Sequence, residues 1–302
     1  MSTRIAGLRL PNPVTTASGC AAAGRELGQF IDVAALAAVV TKSIFLSARA
    51  GRPTPRMAET PSGMLNSIGL QGPGIESFIE KDLAWLVEKG ARPIVSIAGD
   101  STGEYIELAR RLRATGAVAA LEVNISCPNV ENRGLVFACD PDSAARVIAG
   151  VRRETVPGVP VLAKLTADVT DIVAVARACV DAGADGLSLI NTLLGLTIDA
   201  TTLRPTLAGV TGGLSGPAMR PVALRCVYQV HAAIPDVPIV GIGGVRTGAD
   251  ALEFVAAGAS AVQVGTAVFG DPHAPTRILH ELTAELSSRG ISKLTDVIGI
   301  AH

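Results

Sequence analysis

Short apolar segments alternate with longer amphipathic segments along most of the 302-residue chain. Most of the short segments are continuously apolar, which is typical of parallel strands that are covered on both faces. This pattern predicts strands at 14–19, 37–43, 93–99, 120–126, 160–166, 185–192, 238–244 and 261–266. The amphipathic segments between them predict helices at 75–89, 103–115, 142–155, 170–182, 220–234, 247–257 and 275–289.

Eight strands that alternate with helices predict an α/β fold, the (β/α)₈ TIM barrel, as a single domain over residues 1–302. A doubly wound open sheet is the structural alternative, but it would carry its glycine-rich turn after the first strand. Here such turns follow the seventh and eighth strands. Asp168 or Thr170, and Thr247, are suitable N-caps for two of the helices. The barrel interpretation places an active site at the carboxyl ends of the strands.

Composition narrows the function classes. The chain has 26 basic and 27 acidic residues, and no basic run with interleaved aromatics indicates a nucleic-acid surface. The first residues lack the apolar stretch of a secretory signal, and no apolar segment is long enough for a membrane span, so we expect a cytoplasmic protein. Five irregularly spaced cysteines argue against a disulfide framework, and without a C-x-x-C or Cys/His cluster we expect no metal site.

Polar residues concentrate where the predicted strands end. Two lysines, two asparagines and a cysteine would meet at one mouth of the barrel. Polar residues often end strands simply because water begins there, but this does not account well for two lysines at the ends of apolar strands. The longest connections, 44–74, 127–141 and 193–219, leave from the same face and could form a lid. The residues at the strand ends are Ser18, Lys42, Ser43, Asn124, Cys127, Lys164, Asn191 and Thr192.

The glycine-rich turns VGIGGVRTG (240–248) and VGT (264–266) indicate a phosphate site. Glycines at this position let backbone N–H groups approach phosphate oxygens, although tight strand–helix turns use glycine too. The spacing is not that of a dinucleotide fingerprint, because position 246 is Arg. A flavin mononucleotide (FMN) would place its phosphate here and its ring across the barrel mouth.

Lys164 ends the apolar strand VLAKL. If it points into the barrel it needs a negative partner, because an unpaired buried charge is unfavourable, and a reduced flavin is such a partner. The alternative is a surface lysine on the side that faces the helices. Lys42 raises the same question, with an anionic substrate as the partner.

Cys127 follows a strand that stops abruptly, and Pro128 forces an extended turn after it. A thiolate there could act as a nucleophile or a general base, whereas Cys179 and Cys226 lie in helical patterns and are interpreted as structural. The four histidines lie far from it in sequence, which disfavours a Cys–His hydrolase. Nearby amides are suited to a planar ligand with alternating carbonyl and N–H groups. They belong to Asn66, Asn124, Asn129 and Asn191.

Taken together, these motifs resemble the dihydroorotate dehydrogenase family, and specifically the catalytic subunit of its two-subunit, NAD-linked class 1B. The resemblance covers nearly the whole chain. It rests on NPVTTASGC, GRPTPRMAETPSGMLNSIGLQGPG, LEVNISCPN, DGLSLINTLLG, TGGLSGPA, GIGGVRTGADALEFVAAGASAVQVGT and the closing IGIAH.

The resemblance implies an FMN-containing barrel that oxidises (S)-dihydroorotate to orotate in pyrimidine (UMP) biosynthesis. It implies that Cys127 is the base that removes the C5 proton while the C6 hydride passes to FMN. The implied substrate-binding residues are Lys42, Asn66, Ser67, Ile68, Gly69, Leu70, Asn124, Asn191 and Thr192. The implied FMN-binding residues are Ser18, Lys42, Ser43, Ser96, Asn124, Lys164, Ile190, Gly216, Gly243, Gly244, Gly265 and Thr266.

Ser96 departs from the family pattern, which has Asn there, so we expect that contact with FMN to be shorter or to run through water. The resemblance also implies the route to the electron acceptor. The chain lacks cysteines for an iron–sulfur cluster, so reduction of NAD⁺ would need a partner subunit that carries FAD and a [2Fe–2S] cluster. The expected assembly is a homodimer of this chain within a heterotetramer.

Four other functions remain open at this point. A fumarate-linked dihydroorotate dehydrogenase differs in its acceptor, and a dihydropyrimidine dehydrogenase-like flavoenzyme shares the barrel and the active cysteine but typically continues with CPHG. A sugar-phosphate aldolase or isomerase would explain the glycines and Lys164, yet gives Cys127 and the asparagines no role. A scaffold without catalytic activity would retain the same residues.

Overall fold

The protein is described by a computed structural model that covers residues 1–126 and 137–302. Its centre is a parallel eight-stranded sheet in which each strand pairs with its neighbours in chain order. Thr15 of the first strand also bridges Ala38, next to the second, so the sheet closes into a barrel. The barrel strands, numbered first to eighth, are Val14–Thr16, Val39–Val40, Pro93–Ile97, Ala120–Asn124, Val161–Leu165, Gly186–Leu189, Ile239–Ile242 and Ala259–Val264. The predicted (β/α)₈ barrel is confirmed, and the open sheet is excluded.

Helices surround the barrel and agree with the predicted ones to within two residues at each end. The first helical segment is interrupted by a π-helical stretch, Phe78–Leu83. The α-helices are Ile75–Ser77, Ala84–Glu88, Thr102–Arg113, Pro141–Glu154, Ile172–Asp181, Arg220–Ala233, Gly248–Ala256, Ala267–Gly270 and Ala274–Ser288. Short 3₁₀ helices lie at Leu27–Gln29, Phe137–Cys139, Pro217–Met219 and Leu294–Asp296.

Of the two predicted helix caps, one is confirmed and one is wrong. Thr247 caps its helix through a capping box, in which its side chain accepts from the Asp250 N–H and the Asp250 carboxylate accepts from the Thr247 N–H. The helix Ile172–Asp181 is capped by Asp171 rather than by Asp168 or Thr170. The carboxylate of Asp168 instead accepts a hydrogen bond of 2.9 Å from the N–H of Leu194.

Most of the predicted strands run too far at their carboxyl ends. The strand predicted at 185–192 is observed as Gly186–Leu189, and the strand predicted at 37–43 is observed as Val39–Val40. The apolar pattern continues beyond the hydrogen-bonded ladder, because residues at the rim of the barrel stay buried after the strand has ended. Of the polar residues expected at the strand ends, Asn124 and Lys164 lie in the last positions of their strands, and Ser18, Lys42, Ser43, Asn191 and Thr192 follow the strands.

Three antiparallel elements were not predicted. A hairpin of Thr3–Ile5 and Leu8–Leu10 packs Ile5 and Leu10 against Leu162, Val240 and Ala261, and so closes the amino-terminal end of the barrel. The connections expected to form a lid contain a four-stranded antiparallel sheet of Met57–Thr60, Gly63–Asn66, Leu193–Gly195 and Gly212–Ser215, and a short pair, Ile198–Asp199 with Arg204–Pro205. The third expected lid connection, 127–141, lies largely outside the described residues.

The barrel strands carry apolar side chains towards one end and polar ones towards the other. Leu162 and Val240 belong to the apolar cluster beneath the hairpin. Polar side chains are fully or almost fully buried further along the strands, at Ser96, Glu122, Lys164, Ser188 and Gln263. Burying so many polar groups is unfavourable unless they bind one another or a ligand, so this end of the barrel is where a site is expected.

Candidate active site

A cavity of about 470 Å³ opens at the carboxyl ends of the barrel strands. This volume lies within the usual range for small-molecule sites. The cavity brings together ten of the residues predicted from the sequence, which come from segments far apart in the chain. They are Ser18, Lys164, Ile190, Asn191, Thr192, Gly216, Gly243, Gly244, Gly265 and Thr266.

One wall of the cavity is formed by the glycines after the seventh and eighth strands. Gly243 and Gly244 have φ values of 131° and 74°, which other residues rarely adopt. A Cβ atom on Gly244 would lie 2.8 Å from the carbonyl oxygen of Gly216, so the backbone itself forms the wall. The guanidinium-bearing residues Arg246 and Arg277 line the same cavity. Exposed backbone and two cationic side chains suit an anionic group such as a phosphate.

Lys164 points into the barrel. Its side chain is 3% exposed, and its Nζ atom lies 2.8 Å from Ser18 Oγ and 3.4 Å from Glu122 Oε1. The alternative of a surface lysine is therefore wrong. The chain itself supplies a negative partner, Glu122, which the sequence interpretation missed. Gln263 completes the arrangement, since its Nε2 atom donates to Glu122 Oε2 at 2.7 Å.

A second group of polar side chains surrounds Asn124, at the end of the fourth strand. Its Nδ2 atom donates to Ser43 Oγ at 3.0 Å, and its Oδ1 atom lies 3.4 Å from Asn191 Nδ2. Ser96 Oγ lies 2.9 Å from Ser43 Oγ, so this shorter side chain is engaged within the protein. The two asparagines and Ser43 thus form a connected set of donors and acceptors beside the cavity that Asn191 lines.

The loop of predicted substrate residues lies apart from the cavity lining, as far as the described residues show. Asn66 Nδ2 donates to the carbonyl oxygen of Gly213 at 3.3 Å. Arg52 binds the next two residues: its Nη1 atom donates to Ser67 Oγ at 2.9 Å, and its backbone N–H donates to the Ile68 carbonyl at 3.0 Å. The other two predicted residues of this loop are Gly69 and Leu70, both with positive φ.

Lys42 lies near a cysteine that the sequence interpretation overlooked. Cys20 lines the cavity, and burial raises the pKa of its thiol to about 11, against the opposing effects of Lys164 and Lys42. A thiol with this pKa stays protonated at neutral pH. A raised pKa disfavours the thiolate, so we interpret Cys20 as a residue of the cavity wall.

Cys127 and Asn129 lie outside the described residues, which stop at 126 and resume at 137. The last described residue before them, Ser126, donates its N–H to Asn124 Oδ1 at 3.2 Å. The proposed base therefore stays a prediction.

Several cavity residues were not predicted at all. Three of them form the turn between the strands Met57–Thr60 and Gly63–Asn66 of the antiparallel sheet. The other three lie at the end of the neighbouring strand Gly212–Ser215 and just after it. The Pro–Ser–Gly sequence is itself a turn signal and could have revealed the first three of them. They are Pro61, Ser62, Gly63, Ser215, Pro217 and Met219.

The described part of the chain shows neither a metal-binding cluster nor a membrane-spanning helix. Residues 1–126 and 137–302 contain no group of three or more His, Cys, Asp or Glu side chains placed to hold a metal ion. Among the same residues, every helix is too short or too polar to cross a bilayer.

Comparison with known proteins adds independent findings. The sequence profile described as "Dihydroorotate dehydrogenase" matches residues 1–286. A protein of Pelobacter propionicus named "Dihydroorotate dehydrogenase B (NAD(+)), catalytic subunit" is 51% identical over 99% of this chain and 97% of its own length. Proteins with the same name from Geobacter sulfurreducens and Trichlorobacter lovleyi are 51% and 52% identical over the same shares.

Proposed function

The chain belongs to the dihydroorotate dehydrogenase family of FMN oxidoreductases, and on this premise we propose that it oxidises (S)-dihydroorotate to orotate in pyrimidine biosynthesis. The observation that carries the proposal is the cavity in which Lys164, Asn191 and the glycines after the last two strands meet. One barrel domain over residues 1–302 would hold the whole site.

The cavity fits FMN. Gly243, Gly244 and Gly265 offer backbone to the phosphate, with Arg246 and Arg277 close by. Lys164 presents a cation to the ring, and Ser18, Lys42, Ser43, Ser96, Asn124, Ile190, Gly216 and Thr266 complete the proposed binding residues. When bound, FMN supplies the acceptor for the hydride that leaves C6 of the substrate.

The substrate carries alternating carbonyl and N–H groups along one edge of its ring, and a carboxylate. Asn124 and Asn191 supply amides that can pair with such an edge, and their 3.4 Å contact aligns them with each other. Lys42 and Thr192 would bind beside them, and the loop from Asn66 to Leu70 would contribute from the other side. The hydrogen bonds from Arg52 support that role, because they fix the loop before any ligand binds.

We assign proton removal to Cys127. The thiolate would take the proton from C5 as the hydride leaves C6, so that a C5–C6 double bond forms. Replacing Cys127 by Ser should leave FMN bound but slow substrate oxidation at neutral pH, because an alkoxide forms far less readily than a thiolate. Stopped-flow reduction of the Cys127→Ser variant at the rate of the unmodified protein would exclude this assignment.

The electron acceptor is proposed from the relatives, which are named NAD(+)-linked catalytic subunits. We propose that a partner subunit with FAD and a [2Fe–2S] cluster carries electrons to NAD⁺, and that two copies of this chain join two such partners. Purified chain that reduces NAD⁺ at the full rate without a partner would refute this assembly.

The test of the central proposal is an anaerobic titration. The chain is purified, its visible spectrum is recorded, and L-dihydroorotate is added without any acceptor. Loss of the flavin band on mixing is the expected result. A yellow protein whose band persists would exclude dihydroorotate as the substrate, and a colourless protein that takes up no FMN would favour the sugar-phosphate barrel.

A further inference from the structure

Beneath the cavity lies a buried row of three polar side chains, of which only one reaches the ligand space. Lys164 lines the cavity, whereas Glu122 and Gln263 lie behind it and do not. We propose that Glu122 is a positioning residue that acts through Lys164 and sets the net charge that the protein presents to the flavin ring. The inference rests on the proposed binding of FMN.

The contacts of Glu122 support this role. Its side chain is 0% exposed, one carboxylate oxygen faces Lys164 Nζ at 3.4 Å, and the other accepts from Gln263 Nε2 at 2.7 Å. A carboxylate without such partners would be strongly unfavourable at this depth. Both oxygens are thus occupied within the protein, which leaves Glu122 to act on a ligand through Lys164.

Gln263 is oriented by Glu122. An ionised carboxylate only accepts hydrogen bonds, so the amide must direct its NH₂ group towards Glu122. The other atom of the amide, Oε1, is buried and has no hydrogen-bond partner among the described residues. The amide thus leaves its own oxygen unsatisfied in order to donate to Glu122, and this hydrogen bond holds the carboxyl group in place.

The consequence concerns how strongly Lys164 can attract an electron-rich ring. An ammonium group alone adds one positive charge to the cavity wall, but an ammonium group paired with a buried carboxylate adds almost none in total. The pair therefore fixes the position of Nζ, together with Ser18 Oγ at 2.8 Å, while moderating its attraction for negative charge. Removing the carboxylate charge should favour the reduced flavin over the oxidised one.

The experiment measures the midpoint potential of the bound flavin in the full-length, FMN-loaded chain. The protein is photoreduced in the presence of a reference dye, with EDTA as the electron donor, so dihydroorotate is not needed. Glu122→Gln keeps the shape of the side chain and removes its charge. Its potential should rise by about 30 mV or more, which corresponds to a tenfold change in the ratio of the dissociation constants of oxidised and reduced flavin.

A second neutral replacement and a matched control separate charge from packing. Glu122→Ser also removes the charge but gives the side chain a different shape, so the potential of the bound flavin should rise in this variant as well. Thr3→Val alters another buried polar side chain, at the amino-terminal end of the barrel, where its Oγ1 atom donates to the Ser260 carbonyl, and it should leave the potential unchanged. An unchanged or lower potential in both Glu122 variants overturns the inference, and so does loss of flavin from both, because Glu122 would then serve the fold.

The results of the potential measurement can be distinguished from those of the dihydroorotate titration. Unmodified chain that binds FMN but is not reduced by dihydroorotate would refute the proposed reaction and would leave the potential shift measurable. Unmodified chain that reacts as proposed, with Glu122 variants of unaltered potential, would refute only the inference.

Discussion

Glu122 and Lys164 form an ion pair inside the barrel, with 3.4 Å between Oε1 and Nζ and with only 0% and 3% of the two side chains exposed. The two residues are 42 positions apart and lie on neighbouring strands. Removing one member of such a pair leaves the other charge buried and uncompensated, which typically costs about 3–5 kcal/mol.

Lys164→Met should therefore lower the free energy of unfolding of the FMN-free chain by about 3–5 kcal/mol. Adding Glu122→Gln to this variant should recover at least half of the loss, because the orphaned charge disappears. Urea denaturation monitored by circular dichroism measures both effects. Lys89→Met, which removes an exposed lysine 3.9 Å from Glu88, is the matched control and should change stability by less than about 1 kcal/mol. A double variant no more stable than Lys164→Met would contradict this explanation.

The glycine wall leads to a prediction about ligand affinity. Gly244→Ala would place a Cβ atom 2.8 Å from the Gly216 carbonyl oxygen and would require a non-glycine residue at a φ of 74°. Strain of this kind costs about 1–3 kcal/mol, so FMN should bind at least about fivefold more weakly if the strain falls on the bound state. Quenching of FMN fluorescence on binding measures the affinity.

Gly103→Ala is the control for the glycine wall. Gly103 lies in the first turn of the helix Thr102–Arg113 and does not line the cavity, and a Cβ atom there would meet nothing closer than 3.8 Å. Its FMN affinity should be unchanged. Equal affinities for the Gly244→Ala variant and the control would show that this wall does not contact the ligand.

The sequence predicted the barrel because its strands and helices depend on local periodicity, which survives without tertiary information. It could not identify Glu122 as the partner of Lys164. Glu122 sits in an apolar strand pattern, and its proximity to Lys164 and to Gln263, 141 residues away, exists only once the barrel has closed. The position of Cys20 on the cavity wall could not be predicted either, because nothing in the local sequence pattern indicates which residues line a cavity.

The antiparallel sheet escaped prediction for a related reason. Gly63–Asn66 and Gly212–Ser215 are short and contain glycine and serine, so their own propensity for β-structure is low. They form strands because they pair with each other across about 150 residues of chain, as in the register of Leu65 with Leu214. Non-local pairing of this kind is invisible to a window of ten or fifteen residues.

Asn124 connects the fold to the proposed recognition of substrate. Asn124→Ala removes the donor to Ser43 Oγ and the acceptor for the Ser126 N–H, and it takes away an amide proposed to read the ring. A site that loses one well-placed hydrogen bond to its ligand loses about 1–3 kcal/mol, so KM for dihydroorotate should rise by roughly fivefold or more. Steady-state kinetics with an artificial acceptor measures it.

Asn12→Ala is the matched control for Asn124→Ala. Asn12 is also buried, and it binds the Ala35 carbonyl and the Val14 N–H at the start of the first barrel strand, away from the cavity. This variant should lose stability without a change in KM. A comparable rise of KM in both variants would mean that Asn124 acts only through the fold.

The last prediction concerns pH and the histidine at the end of the helix Arg220–Ala233. Burial lowers the pKa of His231 below its ordinary value of 6.5, and the nearby His302 adds to the effect. His231 packs against Gly258 and Gly299, and its Nδ1 atom is buried without a hydrogen-bond partner among the described residues. The folded state therefore resists protonation of this ring more than the unfolded state does.

A pKa that is lower in the folded than in the unfolded chain stabilises the fold above pH 6.5 and withdraws that stabilisation as the pH falls below 6.5, because the unfolded chain then binds the extra proton. The stability difference between the unmodified protein and His231→Gln should accordingly shrink between pH 7.5 and pH 5. Gln229→Ala, at an exposed position of the same helix as His231, replaces a side chain that binds no proton and should show a difference that does not vary with pH. Urea unfolding at four or five pH values tests both variants, and parallel stability curves for the unmodified protein and His231→Gln would refute the coupling.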